Sequence, residues 1–374
     1  MIPPDPDGLL KRALDLAERG RYTVPPNPMV GAIIVRRGRV VAEDWHRRAG
    51  GGHAEAGALD RAGARARGAD LYVSLEPCVH VGRTPPCAPR IVESGIARVF
   101  VAARDPNPLV AGRGIRALQR AGLEVVEAEA PLRRAAERQN EKFRTWIAGG
   151  RPFVLAKWAA TLDGKIATAS RESRWITDRE ARRRALLLRE EYDAVLVGAR
   201  TVEADDPLLT RRLGKAGRRP HRRIVLDGRL RAPASARLFH NPEDVRVVTA
   251  LAPDHARARR LAARGVAVWS LKGSGGGVDL PRLLARLAAE EVTGLLVEGG
   301  AETLWGFFRA GLVDRIAIFF APRVLGGRDA PGGVGGAGFP LDRAVRVVDI
   351  EHESLGADWL VTGRIAPRSV AGTA

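Results

Sequence analysis

The chain has 374 residues, which exceeds the usual size of a single hydrophobic core and predicts two domains. Its net charge of +18 would favour nucleic-acid binding if the cations were clustered, but they are spread over the whole chain and are nearly all arginine. No apolar run approaches the roughly 20 residues that span a bilayer. We therefore expect a soluble protein with neither a nucleic-acid nor a membrane partner.

The first half of the chain alternates strand and helix patterns, which predicts an α/β layer. Residues 9–19 favour a helix, and the apolar runs 30–35 and 39–44 favour a hairpin that turns at Gly38. The further predicted elements are a helix at 53–67, a strand at 70–75, a helix at 89–94, a strand at 98–103, a helix at 115–121 and a strand at 123–128.

Cys78 and Cys87 are the only cysteines, and both follow His53. One imidazole and two thiolates offer three ligands to a tetrahedral zinc ion and leave the fourth position to water, as in a catalytic site. Glu55 lies two residues after His53, like the proton-shuttling glutamate of zinc-dependent base deaminases. A disulfide is the alternative, but residues 1–7 are acidic and proline-rich and do not indicate secretion, so we expect a reducing cytoplasm.

The spacing of the cysteines departs from the P-C-x-x-C pattern of base deaminases, because eight residues lie between them. The run 53–87, with its G-R-T-P-P loop, resembles the deaminase half of the bifunctional pyrimidine deaminase/reductase of bacterial riboflavin biosynthesis. The segments N-P-M-V-G at 27–31 and D-P-N-P at 105–108 fit the same family. The resemblance implies that Asn27, His46 and His80 line the substrate pocket; a solvated surface histidine is the alternative for the last two.

After a linker at 148–152 the α/β pattern restarts. The predicted elements are strands at 153–159, 194–197, 223–226, 246–249 and 294–297 and helices at 178–191 and 280–290. Strands that alternate with helices predict a mostly parallel sheet covered on both faces. We expect a deaminase domain at 1–148, a reductase domain at 149–366 and a disordered tail at 367–374.

Four motifs of the second half resemble the reductase domain of the same riboflavin enzyme, which has a dihydrofolate-reductase-like fold and uses NADPH. They begin at residues 157 (K-W-A-A-T-L-D-G-K-I-A), 170 (S-R-E-S-R-W-I-T), 198 (G-A-R-T-V-E-A-D-D-P) and 298 (E-G-G-A-E-T-L). The cofactor-binding residues that the resemblance implies are Ala159, Trp175, Thr177, Thr201, Asp205, Gly299, Gly300, Ala301, Glu302 and Thr303. The implied substrate-binding residues are Lys157, Ser173, Arg189, Leu209, Arg212 and Glu298.

Elementary chemistry supports some of these assignments. A glycine pair between a strand and a helix lets backbone N–H groups approach a phosphate, and Arg189 and Arg212 offer bidentate partners for a phosphomonoester. Asp205 is the candidate for proton transfer. The ordinary alternatives are a tight turn at the glycines, a core position for Trp175 and a solvated helix face for each arginine.

We therefore expect an α/β protein with an N-terminal cytidine-deaminase-like α/β/α domain followed by a dihydrofolate-reductase-like α/β domain. The resemblance implies zinc-dependent deamination of 2,5-diamino-6-(5-phosphoribosylamino)pyrimidin-4(3H)-one by Glu55, with His53, Cys78 and Cys87 as zinc ligands. NADPH-dependent reduction to 5-amino-6-(5-phosphoribitylamino)uracil would follow. It also implies one zinc ion per deaminase domain and a homo-oligomer, dimer or tetramer. A polynucleotide deaminase fused to a reductase-like module and a non-catalytic nucleic-acid-binding protein are the other classes.

Overall fold

The structure, a computed structural model, describes residues 5–82, 84–217 and 219–367. It divides into two compact units: the first ends at Arg151 and also takes in Lys215–Gly217, and the second begins at Pro152. The predicted tail at 367–374 lies outside the described residues, apart from Pro367. Among the helices of the described ranges, none has both the length and the hydropathy of a transmembrane span.

The first unit is an α/β layer. Its elements in chain order are α1 (Pro6–Ala17), β1 (Gly31–Arg36), β2 (Arg39–Trp45), α2 (Ala54–Ala62), β3 (Asp70–Val73), α3 (Cys87–Glu93), β4 (Arg98–Val101), α4 (Arg113–Arg120), β5 (Glu124–Glu127), α5 (Ala130–Gln139) and α6 (Glu141–Gly149).

The sheet of this unit has the order β2-β1-β3-β4-β5. Strands β1 and β2 pair antiparallel, which confirms the predicted hairpin, and β3, β4 and β5 are parallel. The chain of β1 carries no side chain at Gly31, where a Cβ atom would come within 2.0 Å of the Ala13 carbonyl oxygen. Helix α1 therefore packs closely against the middle of the sheet at this glycine.

The second unit is a larger α/β layer. Its elements are β6 (Phe153–Thr161), α7 (Arg179–Glu191), β7 (Ala194–Gly198), α8 (Ala199–Asp205), β8 (Arg222–Leu226), β9 (Val245–Thr249), α9 (Ala256–Ala262), β10 (Ala267–Ser270), α10 (Leu280–Ala289), β11 (Gly294–Glu298), α11 (Ala301–Arg309), β12 (Arg315–Ala321), β13 (Val347–Leu355) and β14 (Asp358–Ile365).

The nine strands follow the order β10-β9-β8-β7-β11-β6-β12-β14-β13, and all pairs up to β12 are parallel. Alternate residues of a strand face opposite sides of a sheet. In β6, Phe153 and Leu155 join one hydrophobic cluster whereas Val154 and Ala156 join another. The prediction of a mostly parallel sheet covered on both faces is therefore confirmed.

The parallel strands β7, β11 and β6 are neighbours, although β11 comes much later in the chain. Such a change in strand order opens a crevice at the carboxyl ends of the strands, which is where α/β proteins bind ligands. Glu298 ends β11 and Gly198 ends β7 at this crevice. The fold therefore places the motifs that begin at 198 and 298 side by side.

Candidate active site

In the first unit, the segments that precede two helices bring His53, Cys78 and Cys87 together. His53 is the N-cap residue of α2, and Cys87 is the first residue of α3. The His53 Nδ1 atom lies 3.2 Å from Cys87 Sγ and 3.5 Å from Cys78 Sγ. Tetrahedral zinc with bonds of about 2.1 Å to nitrogen and 2.3 Å to sulfur separates such atoms by about 3.6 Å. The three side chains therefore fit one zinc ion.

The Cys78 and Cys87 side chains share a hydrogen bond. A hydrogen bond with Cys87 lowers the pKa of Cys78 to about 4, helped by a second hydrogen bond with His53, while the same contact and burial raise the pKa of Cys87. Both cysteines are unbridged, with Cys87 buried and Cys78 half-buried. Thiols that bind a divalent cation do so as thiolates, so zinc binding would release the protons that this pair carries. The disulfide alternative does not hold.

Glu55 lies in the first turn of α2 and is buried, only 3% exposed. Burial raises the pKa of its carboxyl group, against the charge of His53. Its Oε2 atom has no hydrogen-bond partner within the described part of the chain. A buried carboxyl oxygen without a partner, next to three zinc ligands, is suited to exchanging a proton with a molecule bound at the metal.

Asn27 and His46 form a hydrogen-bonded pair beside this cluster. The His46 ring lies edge-on to the His53 ring, with centroids 5.6 Å apart. Its Nδ1 atom is 3.0 Å from the Gly52 carbonyl oxygen and must donate, so its Nε2 atom accepts from Asn27 Nδ2, also at 3.0 Å. Burial lowers the pKa of His46, in keeping with this neutral tautomer. His46 therefore orients the Asn27 amide, and its surface alternative does not hold.

The backbone near Asn27 is fixed by Asn140, which follows α5. The Asn140 side chain accepts a hydrogen bond from Met29 N over 2.8 Å and donates one to Met29 O over 2.9 Å. Asn140 is only 3% exposed, so both bonds lie in the interior. The segment that carries Asn27 is thus anchored to a part of the chain more than a hundred residues away.

His80 is half-buried in the loop after Cys78. Its Nδ1 atom is buried and lacks a hydrogen-bond partner among the residues that the structure describes. Within those residues it forms no hydrogen bond with His46 or His53. The structure thus gathers Asn27 and His46 around the candidate metal centre and leaves the predicted role of His80 as a prediction.

In the second unit, one cavity of about 2030 Å³ opens at the crevice beside β11. All the residues predicted for the reductase half line it: Lys157, Ala159, Ser173, Trp175, Thr177, Arg189, Thr201, Asp205, Leu209, Arg212, Glu298, Gly299, Gly300, Ala301, Glu302 and Thr303. A cavity of this size exceeds the roughly 300–1,000 Å³ of a site for one small ligand. It offers room for a dinucleotide and a second molecule.

A buried cluster of charges lies at the base of this cavity. Arg189 donates two hydrogen bonds to Glu298, over 2.5 and 3.0 Å, and Lys157 Nζ lies 3.7 Å from the same carboxylate. Burial alone would raise the pKa of Glu298, but the two cations outweigh it and lower the pKa to about 2. Burial lowers the pKa of Lys157. Glu298 therefore stays ionised and holds both cations in place.

The glycine pair between β11 and α11 has the backbone conformation that a phosphate-binding turn needs. Gly299 and Gly300 have φ values of 82° and 81°, and no side chain caps the start of α11. A Cβ atom on Gly300 would lie 3.4 Å from Thr201 Oγ1 and 3.3 Å from Thr303 Oγ1. Positive φ favours glycine, and uncapped N–H groups at a helix start suit a pyrophosphate. The turn therefore fits the dinucleotide.

Two other predicted cofactor residues have neighbours that bear on their roles. The Glu302 carboxylate accepts a hydrogen bond from Gly336 N over 3.2 Å, so this side chain holds a glycine-rich loop on the cavity wall. Trp175 is 63% exposed, and the Arg182 guanidinium lies 4.7 Å from the centre of its ring. The core alternative for Trp175 therefore does not hold.

The residues after α8 form a loop on the cavity wall that is supported from the interior. The His221 Nε2 atom donates to the Leu209 carbonyl oxygen over 3.2 Å, and Leu209 has a positive φ of 56°. Glu190 accepts from the backbone N–H groups of Arg212 and Leu213 over 3.0 and 2.8 Å. Burial, followed by the charge of Arg211, lowers the pKa of His221 to about 4. These buried groups fix the backbone that carries two predicted substrate residues.

Several residues at the two sites were not predicted from the sequence. Thr84 lies 3.1 Å from the free ring nitrogen of His53, and Asn140 and His221 act through backbone atoms of other residues. Thr84 belongs to the G-R-T-P-P motif, which indicated the family but predicted no function for this residue. No sequence pattern indicated Asn140 or His221. Neither residue belongs to a motif, and its burial in the folded protein cannot be recognised from the sequence.

Comparisons with known proteins agree with this arrangement. The family model "RibD C-terminal domain" matches residues 152–361, and the model "Cytidine and deoxycytidylate deaminase zinc-binding region" matches residues 5–103. The riboflavin biosynthesis protein RibD of Aquifex aeolicus is 42% identical over 94% of this chain and 96% of that protein. That of Escherichia coli is 39% identical over 85% of this chain and 88% of that protein.

Solved structures give the same result. RibD of Acinetobacter baumannii superposes with a TM-score of 0.85 at 35% identity and covers 97% of this chain and 99% of its own. A diaminohydroxyphosphoribosylaminopyrimidine deaminase/5-amino-6-(5-phosphoribosylamino)uracil reductase from Thermotoga maritima has a TM-score of 0.82 at 36% identity, over 96% and 99% of the two chains. The predicted fold class, cytidine-deaminase-like followed by dihydrofolate-reductase-like, is confirmed. The chain belongs to the RibD family of riboflavin biosynthesis proteins, which join a zinc-dependent deaminase to an NADPH-dependent reductase in one polypeptide.

Proposed function

We propose that the first unit deaminates 2,5-diamino-6-(5-phosphoribosylamino)pyrimidin-4(3H)-one. The second unit then reduces the ribosyl side chain to give 5-amino-6-(5-phosphoribitylamino)uracil. The observation that carries the proposal is the buried Glu55 carboxyl group, with one unpartnered oxygen, beside a cluster of one imidazole and two thiols. The printed name of the Thermotoga relative supports the choice of substrate.

His53, Cys78 and Cys87 hold the zinc ion in this proposal. Zinc bound by three protein ligands supplies a water molecule with a pKa lowered towards about 7. With zinc bound, Glu55 would accept a proton from this water as the water oxygen adds to the ring carbon that bears the exocyclic amine. Glu55 would then return the proton to that amine, so that the C–N bond breaks and ammonia leaves. The raised pKa of Glu55, caused by burial, suits a group that must both accept and release a proton.

Asn27 orients the pyrimidine. Its Nδ2 group donates to His46, so its Oδ1 atom is left to accept a hydrogen bond from an amino or ring N–H group of the substrate. His46 acts through Asn27 in this proposal, and His80 borders the substrate from the loop after Cys78. Asn140 keeps the segment at a fixed distance from the sheet by binding Met29.

In the second unit, NADPH supplies the hydride and the protein orients the two reactants. Gly299 and Gly300, with Thr201 beside them, receive the pyrophosphate at the start of α11. Arg212 binds the substrate phosphate, while Arg189 and Lys157, held by Glu298, line the floor below the ribosyl group. Asp205 supplies the proton. Its Oδ1 atom lies 3.4 Å from Arg174 Nε and 3.5 Å from Ser173 Oγ, two contacts that fix the carboxylate.

The remaining assignments are proposals of the same kind. The deaminase domain extends over residues 1–148 and the reductase domain over 149–366, close to the division of the structure after Arg151. We also propose a cytoplasmic homo-oligomer, dimer or tetramer, that acts on a small phosphorylated pyrimidine. The family resemblance and the unbridged cysteines support this part of the proposal.

A coupled assay with purified protein tests the function. The diaminopyrimidine ribosyl phosphate is added with NADPH, and ammonia and the nicotinamide absorbance are followed separately, together with the zinc content. The expected result is one ammonia released and one NADPH oxidised per substrate molecule, with ammonia appearing first. Ammonia release from cytosine or adenine in RNA or DNA, with no reaction of the small substrate, would overturn the proposal in favour of a polynucleotide deaminase.

A further inference from the structure

The long loop between the two cysteines places a hydroxyl group next to the histidine ligand. Thr84 Oγ1 lies 3.1 Å from His53 Nε2, and Thr84 precedes Cys87 by three residues. Eight residues separate the two cysteines, whereas the P-C-x-x-C pattern has two. The longer loop therefore brings a hydroxyl group within hydrogen-bonding distance of the candidate ligand His53.

The protonation of the His53 ring follows from its neighbours. Its Nδ1 atom faces both sulfur atoms, at 3.2 and 3.5 Å, and is therefore the nitrogen that binds the metal. A metal-bound histidine carries its proton on the other nitrogen, so Nε2–H donates and the Thr84 hydroxyl oxygen accepts. Such outer partners fix the tautomer and the ring orientation of a ligand.

We propose that Thr84 is a positioning residue for the zinc ligand His53. It accepts the hydrogen bond of Nε2–H and holds the imidazole plane at the angle at which Nδ1 points between Cys78 and Cys87. The inference rests on the zinc centre of the proposed function. Thr84 does not touch the reacting atoms in this assignment.

The other contacts of His53 act on its backbone and on Nδ1, and leave Nε2 to Thr84. The His53 carbonyl oxygen accepts from Gly57 N over 3.1 Å in the first turn of α2. The nearest ring, His46, lies edge-on at 5.6 Å between centroids and forms no hydrogen bond with it. Nδ1 faces the two sulfur atoms, so the bond to Thr84 holds the opposite side of the ring, from the loop that also carries Cys87.

The loop is itself built to hold Thr84 in place. Gly82 N donates to the Thr84 carbonyl oxygen over 3.3 Å, and Ala88 N donates to the Cys78 carbonyl oxygen over 3.1 Å. Two prolines follow Thr84, and the second, Pro86, is the N-cap residue of α3. Proline fixes φ, so the segment from Thr84 to Cys87 has little freedom. One short rigid segment thus carries both a zinc ligand and the partner of another.

The test compares the zinc affinities of three variants with that of the wild type. Full-length protein is stripped of metal and titrated with Zn²⁺ in competition with a chromophoric chelator. Thr84→Val keeps the shape of the side chain and removes the acceptor, and we expect its dissociation constant for zinc to rise about 10–100-fold. Thr84→Ser keeps the hydroxyl group and is expected to bind zinc like the wild type.

The matched control is Thr23→Val in the same unit. Thr23 Oγ1 donates to the Arg47 carbonyl oxygen over 2.5 Å and also lies 3.4 Å from the Gly20 carbonyl oxygen. This variant therefore also loses the hydrogen bonding of one threonine hydroxyl group, and it should keep wild-type zinc affinity. Wild-type affinity in Thr84→Val, or equal loss in Thr84→Ser and Thr84→Val, would overturn the inference. Intact zinc affinity with a raised KM would assign Thr84 to the substrate instead. Absence of zinc binding in the wild type would refute the proposed function itself.

Discussion

Glu298 accepts two hydrogen bonds from Arg189, over 2.5 and 3.0 Å, while Lys157 lies 3.7 Å away on the neighbouring strand β6. One carboxylate thus balances two cations in the interior, where their side chains are 16% exposed or less. Because the cluster has two cations and one anion, the stability cost of removing a charge depends on which charge is removed. Loss of the anion leaves two like charges together, whereas loss of one cation still leaves a pair.

Glu298→Gln should therefore destabilise the second unit more than Arg189→Met does. Breaking a buried ion pair by removing one partner costs about 3–5 kcal/mol. Urea unfolding followed by circular dichroism measures the effect, and Lys157→Met in the Glu298→Gln background should restore part of the loss. Asp349→Asn removes an exposed pair with Arg364 as a control and should cost less than about 1 kcal/mol. Equal effects of Glu298→Gln and Asp349→Asn would contradict the argument.

Glu55→Gln should stop ammonia release without affecting the reductase. Loss of a positioned proton carrier lowers the rate about 10²–10⁴-fold. Zinc content and NADPH oxidation with the deaminated intermediate should stay at wild-type values, and removal of zinc by a chelator should reproduce the same split. Glu93→Gln, an exposed residue at the end of α3, is the matched control. Simultaneous loss of both activities in Glu55→Gln would show that the two reactions are not independent.

The buried imidazole of His221 makes the second unit sensitive to acid. Its folded pKa of about 4 lies below the ordinary 6.5, because burial and the charges of Arg211, Arg189 and Arg219 oppose protonation. The unfolded chain takes up this proton as the pH falls through 6.5, and the folded chain only near 4. His221 therefore contributes full stability above the upper value, and the contribution is lost as the pH falls towards the lower one.

His221→Gln keeps a donor for the Leu209 carbonyl oxygen but cannot titrate. We expect the wild type to lose about 3 kcal/mol of unfolding free energy relative to this variant between neutral pH and the folded pKa. Urea unfolding at several pH values measures the free energy of unfolding of both proteins. Groups that titrate alike in the two proteins cancel in the difference between them. Parallel pH profiles of the two proteins would show that the pKa of His221 is the same in the folded and the unfolded chain, against this argument.

Arg212→Ala tests the phosphate site of the reductase. A charge-assisted hydrogen bond contributes about 1.5–3 kcal/mol, so KM for the phosphorylated intermediate should rise about 10–100-fold with little change in kcat. The dephosphorylated intermediate is the informative comparison, because the variant should lose the preference for the phosphorylated form. Arg282→Ala, on the exposed face of α10, should behave like the wild type. An equal loss for both intermediates would place the phosphate elsewhere.

Local patterns were enough to predict most elements of the fold. The helix α7 and the strands β7, β8, β9 and β11 lie within a residue or two of the predicted ranges, because each carries a continuous apolar run or a helical period. Strands β12, β13 and β14 were not predicted. In β13 most residues are exposed, so no hydrophobic pattern marks it, and its pairing with β14 is what makes it a strand.

Only those residues of the candidate site that have a characteristic residue type or belong to a motif could be predicted. The residue types and spacing of His53, Glu55 and the two cysteines were enough to predict a zinc site. The residues of the cavity were predicted from the family resemblance. Asn140 binds two backbone atoms of Met29, and Thr84 contacts one ring nitrogen of His53. Such a contact between distant residues depends on the folded path of the whole chain. Sequence periodicity contains no information about it.

The two hydrogen bonds between Asn140 and Met29 determine where the chain can be cut to separate the deaminase from the reductase. The deaminase family model ends at residue 103, yet the side chain that anchors the segment of Asn27 and Met29 is supplied much later, by Asn140 between α5 and α6. A fragment cut at the family boundary would discard this anchor together with the edge strand β5. A fragment that keeps this anchor must therefore extend at least through Asn140, well past the family boundary.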